Sequence, residues 1–218
     1  LQSLGSIELQ RFTLTDLQPV LAAFPEVAPL FAQRELLPLL NNLKLLDLVV
    51  THLTRPGVAT PPLVGESDVI AWFWRSVVER PPSGVRAELV KVVASEQAER
   101  LTTRVARSRL PPALLGALDD LIADDVLRQG DERVWFEHEL LGDWARQRIL
   151  LDVEDAERPA FIHALLDTPA WHRAIRLYGL SLLERGDVQG WASTLNALDA
   201  RGRPLGGDLL LEAIFFAT

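Results

Sequence analysis

The chain has 218 residues, 48% of them hydrophobic and 24% charged, with a formal net charge of −8. That composition supplies enough apolar material for a folded core and excludes a disordered chain, while the acidity argues against broad attraction to nucleic acid or anionic membrane. There is no cysteine, which excludes disulfides, thiolate metal sites and a cysteine nucleophile and suits a reducing, cytoplasmic setting.

Methionine is absent too, and the chain stops on the apolar run LLLEAIFFAT, so both ends read as cuts through a longer protein. Residues 6–13 (SIELQRFT) alternate apolar Ile7 and Leu9 with polar neighbours and predict a short strand whose partners lie upstream. Thr15 can cap a helix from Asp16 to Phe24, which Pro25 ends. Helices follow over residues 27–34 and 35–53. The second is about as long as a membrane span, but it holds Asn41, Asn42, Lys44, Asp47 and His52 and reads as a core helix.

Residues 54–65 contain Pro56, Gly57, Pro61, Pro62 and Gly65 and mark a domain boundary. Beyond it, Ser67 is a candidate N-cap for a helix over 68–80, and Ser83 for one running to about 102. Trp72 and Trp74, two apart, cannot share one face of an α-helix, so one of them is expected to meet a neighbouring domain. Pro111 and Pro112 open a third helix whose Leu114, Leu115, Leu118, Leu121 and Ile122 form one buried face. Residues 126–128 and 134–136 then flank a turn over 129–133 with Gly130 near its tip, a β-hairpin. A further helix is expected over 138–150, and helices over 156–166, 169–184, 188–198 and 207–217 close the chain.

Helices followed by a two-stranded wing is the winged-helix order. The expected fold class is therefore mainly α: a helical bundle (1–65), a winged-helix domain with a small β-hairpin (66–151), and the start of HEAT- or TPR-like helical repeats (152–218).

No phosphate loop of the G-x-x-x-x-G-K-[ST] kind and no H-E-x-x-H occurs, and His52, His138, His163 and His172 lack metal-ligand spacing, so neither a catalytic nor a metal site is expected. A winged helix usually presents its third helix to DNA, but here that helix carries Asp119, Asp120, Asp124 and Asp125 and no Lys or Arg between positions 111 and 127. The wing adds only Arg128 and Arg133, so DNA is not the expected partner of that face.

Two segments resemble a known family. FEHELLGDWA, residues 136–145, resembles the Met-His-Asp motif of STAND-class signalling ATPases (the NACHT and NB-ARC proteins, including NLR-like bacterial defence proteins), with His138 on the motif histidine, Glu139 on the acid and Glu137 on the methionine. LLPLLNNLKLLDLVV, residues 36–50, resembles the lid helix with its Asn-Pro-Leu-Leu-Leu pattern, Asn42 on the asparagine and Leu43 where the family has proline. The resemblance implies that His138, Asn42 and Leu43 face a nucleotide, ATP or ADP, bound with magnesium by an upstream P-loop domain of the same chain. It further implies a switch, plausible in bacterial antiviral defence, that holds ADP when inactive and forms a homo-oligomer when activated by a trigger acting on the repeats. The fragment itself would not hydrolyse ATP; its parent would be the NTPase. The alternative is a helical-repeat scaffold for partner proteins with no nucleotide role.

Overall fold

The computed structural model describes residues 18–31, 36–40, 43–54, 63–81 and 83–217. The chain divides between Asp68 and Val69 into two compact units. The expected strand over 6–13 and Asn42 lie outside the described residues.

The first unit contains α1 (Gln18–Ala23), a 3-10 turn (Pro25–Val27), α2 (Ala28–Phe31), α3 (Leu37–Leu40) and α4 (Leu43–Leu53). Within the helix expected over 35–53, Leu37–Leu40 and Leu43–Leu53 are helical, and residues 41–42 lie outside the described residues. Within α4, Leu45, Leu46, Leu48, Val49, Val50, His52 and Leu53 are buried, while Leu43, Lys44 and Asp47 are exposed and Thr51 is half-buried, so the helix is amphipathic with a narrow outward stripe. Among the described residues no helix is long and apolar enough to cross a membrane.

A helix crosses the division between the units. It is α5 (Glu66–Phe73), and it continues into a π-helical turn over Trp74–Val78. Ser67 does not cap it. The carboxylate of Asp68 instead accepts the Val64 N–H at 2.9 Å and the Gly65 N–H at 3.4 Å, the reach-back half of a capping box. The π turn changes the angular spacing along the helix, and Trp72 and Trp74, 4% and 3% exposed, are both buried. Trp74 donates its indole N–H to Glu79 at 2.8 Å and lies under the Arg148 guanidinium, both within the second unit.

α6 (Ser83–Arg100) buries Arg86, Leu89, Val90, Val93, Ala94 and Ala98, a stripe at helical spacing. Its C-terminus closes with the Leu101 N–H on the Ala98 carbonyl and the Thr102 N–H on the Gln97 carbonyl. Leu101 takes the left-handed conformation there, φ 49°, where glycine is the usual residue. Leu101→Gly is therefore expected to stabilise the fold by about 1 kcal/mol. A higher urea midpoint at unchanged slope would show it; a lower midpoint would mean the leucine side chain stabilises the fold.

A short strand that the sequence does not signal follows, β1 (Val105–Ala106). It pairs antiparallel with β3 (Arg133–Phe136), and β3 pairs with β2 (Leu127–Gly130), giving a three-stranded sheet of order β1-β3-β2. Between β1 and β2 the expected third helix is a 3-10 stretch (Pro112–Ala117) followed by α7 (Leu118–Ala123). Leu118 and Leu121 are fully buried, whereas Leu114, Leu115 and Ile122 are half-buried. The hairpin tip is not glycine. Gly130 pairs with Arg133, and Asp131 and Glu132 make the two-residue turn with φ 50° and 56°. Gly130 flanks that turn in close approach to Trp135: a Cβ there would lie 3.2 Å from the Trp135 ring.

α8 (Glu139–Asp152), α9 (Arg158–Leu165), α10 (His172–Glu184), α11 (Val188–Asp199), α12 (Pro204–Glu212) and α13 (Ile214–Ala217) complete the chain. They pack around α10, with Ile175, Tyr178 and Leu182 in one apolar cluster with Ala98 of α6, Leu150 of α8, Ile162 of α9, Leu198 of α11 and Leu210 of α12. The chain is mainly helical with a small antiparallel sheet.

Candidate functional site

The turn between β3 and α8 is built by packing on either side of it. Val134 and Phe136 point inward from β3, 0% and 6% exposed, and Leu140, Leu141 and Trp144 point inward from α8. Gly142 lets the Phe136 ring lie on the first turn of α8, since a Cβ there would meet the ring at 3.2 Å. Trp144 meets Phe73 edge-on, centroids 5.5 Å apart. Asp143 holds Arg146 at 2.7 Å and Arg173 at 3.4 Å, tying α8 to α10. Most of the FEHELLGDWA stretch is therefore fixed by core contacts, and the polar residues 137–139 are carried at its turn.

His138 is the N-cap of α8, with extended backbone (φ −129°, ψ 141°) and its carbonyl accepting the Leu141 N–H at 3.0 Å. It is half-buried. Glu137, just before it, forms a two-pronged ion pair with Arg128 of β2. Glu139 is exposed in the first turn, where a carboxylate suits the helix dipole. Chemically the turn offers an imidazole at the positive end of a 14-residue helix, beside a carboxylate already neutralised by arginine.

Leu43 is the first residue of α4 and is 52% exposed. It belongs to the first unit and His138 to the second. Among the described residues no group of His, Asp and Glu could hold a metal ion.

No family model, no curated protein and no solved structure matches this chain. The functional reading therefore stands on the residues themselves.

Two polar features escape a reading of the sequence. Asp124 does not belong to an outward acidic face: it accepts from Arg86 at 2.7 Å and from Arg80 at 2.9 Å. Arg86 is 2% exposed and also donates to the Val77 and Val78 carbonyls, which satisfies the end of the π turn. The carboxylates left exposed around α7 are Asp119, Asp120 and Asp125. The second feature is Arg104, stacked 4.5 Å over Trp135, which depends on the unsignalled strand β1 for its position.

Proposed function

We propose that this chain is the lid, winged-helix and first-repeat portion of a STAND-type signalling ATPase, acting as a cytoplasmic sensor switch in bacterial defence. The order α6, β1, 3-10 stretch, α7, β2, β3 supports the winged-helix assignment. The run of short helices with short connections from α9 to α13 supports the repeat assignment. One observation carries the nucleotide reading: His138 is the N-cap of a long helix directly after the last strand of the sheet.

ADP bound by an upstream P-loop domain brings a polyphosphate whose negative charge is the ligand for this turn. The first-turn N–H groups of α8 and the His138 imidazole suit that charge, and pairing of Glu137 with Arg128 removes a carboxylate that would oppose it. Glu139, the exposed acid beside them, weakens the attraction and sets its limit. Exchange of ADP for ATP would withdraw the contact, release the winged helix and permit oligomerisation, because a switch requires contacts that differ between its states.

The test is His138→Ala in the parent protein. Expected results are lower ADP content on purification and a larger oligomeric fraction at rest. Unchanged nucleotide content with unchanged oligomeric state overturns the reading.

A second reading, a helical scaffold for partner proteins with no nucleotide role, is favoured by apolar side chains exposed on the last helices, Val188 at 76% and Phe215 at 80%. The sequence upstream of Leu1 separates the two. A Gly-rich phosphate loop followed by an apolar strand ending in Asp supports the switch, and further helical repeats support the scaffold.

A further inference from the structure

The solvent face of the small sheet is chemically unlike the rest of the chain. Because Val105, Val134 and Phe136 point inward, Arg104, Arg133 and Trp135 lie on the opposite face. Arg107 and Arg109 follow β1 directly, and the Arg107 N–H donates to the Glu132 carbonyl at 2.8 Å, which fixes this segment against the hairpin tip. The chain has 30 acidic and 22 basic residues, and among the described residues most arginines have a carboxylate partner. Among the described residues Arg104, Arg107, Arg109 and Arg133 form no ion pair; Arg104 touches the Trp135 ring instead.

Leu101 precedes this face in the chain. It is 70% exposed, and it sits three residues before Arg104, within about 11 Å by chain length alone. Its left-handed backbone costs stability that glycine would avoid. Arginines without ion pairs around a half-buried tryptophan have the composition of a protein-interface centre, and Leu101 adds exposed apolar surface close to them in the chain.

We propose that Leu101, Arg104, Arg107, Arg133 and Trp135 form a docking surface for a partner-protein segment that carries carboxylates beside an apolar side chain. Charge complementarity selects acidic groups, and Leu101 with the Trp135 edge selects the apolar one. Asp131 and Glu132 at the tip, with Asp119, Asp120 and Asp125 around α7, oppose a uniformly charged polyanion, so a discrete pattern of carboxylates fits better than a phosphate backbone. This inference is independent of the nucleotide reading, because its readout involves no nucleotide.

The experiment uses the full chain and three fluorescent probes: a short peptide alternating Glu with Leu, its counterpart with Lys for every Glu, and a DNA duplex. The acidic peptide should bind, the Lys peptide should not, and the duplex should bind more weakly than the acidic peptide. Arg104→Glu with Arg133→Glu should weaken the acidic peptide by about tenfold or more. Leu101→Gly should weaken it as well while raising thermal stability, an opposition that a purely structural role would not produce. Equal binding of the acidic and Lys peptides, or affinity untouched by these variants, overturns the proposal. Stronger, steeply salt-dependent binding of the duplex overturns it in favour of nucleic acid.

Discussion

Trp144→Ala is expected to destabilise the second unit by about 3–5 kcal/mol, the range for deleting a large aromatic from a packed interior. Trp144 is 1% exposed and is anchored edge-on by Phe73, so α5 and α8 both lose a contact. Two effects compete at this position. The ring contributes apolar burial and an aromatic pair worth about 0.5–1.5 kcal/mol. Its indole N–H is buried without an acceptor among the described residues, which costs about 1–3 kcal/mol. Burial wins for the alanine variant, where the whole ring goes. Trp144→Phe removes the orphan donor along with part of the ring, so it should cost well under half as much. Urea denaturation followed by far-UV circular dichroism distinguishes the cases. A phenylalanine variant as unstable as the alanine one would show that the N–H is satisfied in solution.

Elements held by contacts close in sequence are readable from it, and those held by distant ones are not. The stripe Leu89, Val90, Val93, Ala94 and Ala98 identifies α6 because its periodicity lies within one element. The hairpin is readable for the same reason, although the chain places Asp131 and Glu132, not Gly130, in the left-handed turn. β1 has two residues, too few for any alternation, and exists because Val105 pairs with Val134 almost thirty positions away. Asp124 looks like one of four outward acids until Arg86, 38 residues earlier, is brought to it. Trp72 and Trp74 are both buried although two apart, and the chain passes there from an α-helix into a π turn, which a spacing judged on an α-helix does not foresee. His138 is found from sequence because a polar run between a hairpin and an apolar helix is a cap position, and the helix begins at Glu139. Asn42, which the resemblance also assigns to the nucleotide, lies outside the described residues.

Arg158→Ala is expected to cost about 2–4 kcal/mol through the carbonyls it leaves behind. Arg158 is 9% exposed, and its guanidinium reaches back to the end of α8, bonding the Leu150 carbonyl at 2.7 Å and the Val153 and Leu151 carbonyls at 2.5 and 3.3 Å. These include the unsatisfied acceptors that every helix end presents, here closed by a side chain from the next helix. Burial opposes its charge, yet the contacts with Tyr178 and Asp155 outweigh that and leave the guanidinium pKa raised. The partners are not equal. Asp155 is 93% exposed in its side chain and adds little, as surface ion pairs do. Tyr178 is buried, and the guanidinium carbon lies 5.3 Å from its ring centre, whereas the hydroxyl contact is long at 3.4 Å. Asp155→Ala and Tyr178→Phe should therefore each cost under about 1 kcal/mol. Arg158→Lys should rescue less than half of the alanine loss, because an ammonium cannot present the planar fork that reaches three carbonyls at once. Full rescue by lysine would mean that charge, rather than the closure of the α8 end, is what Arg158 contributes.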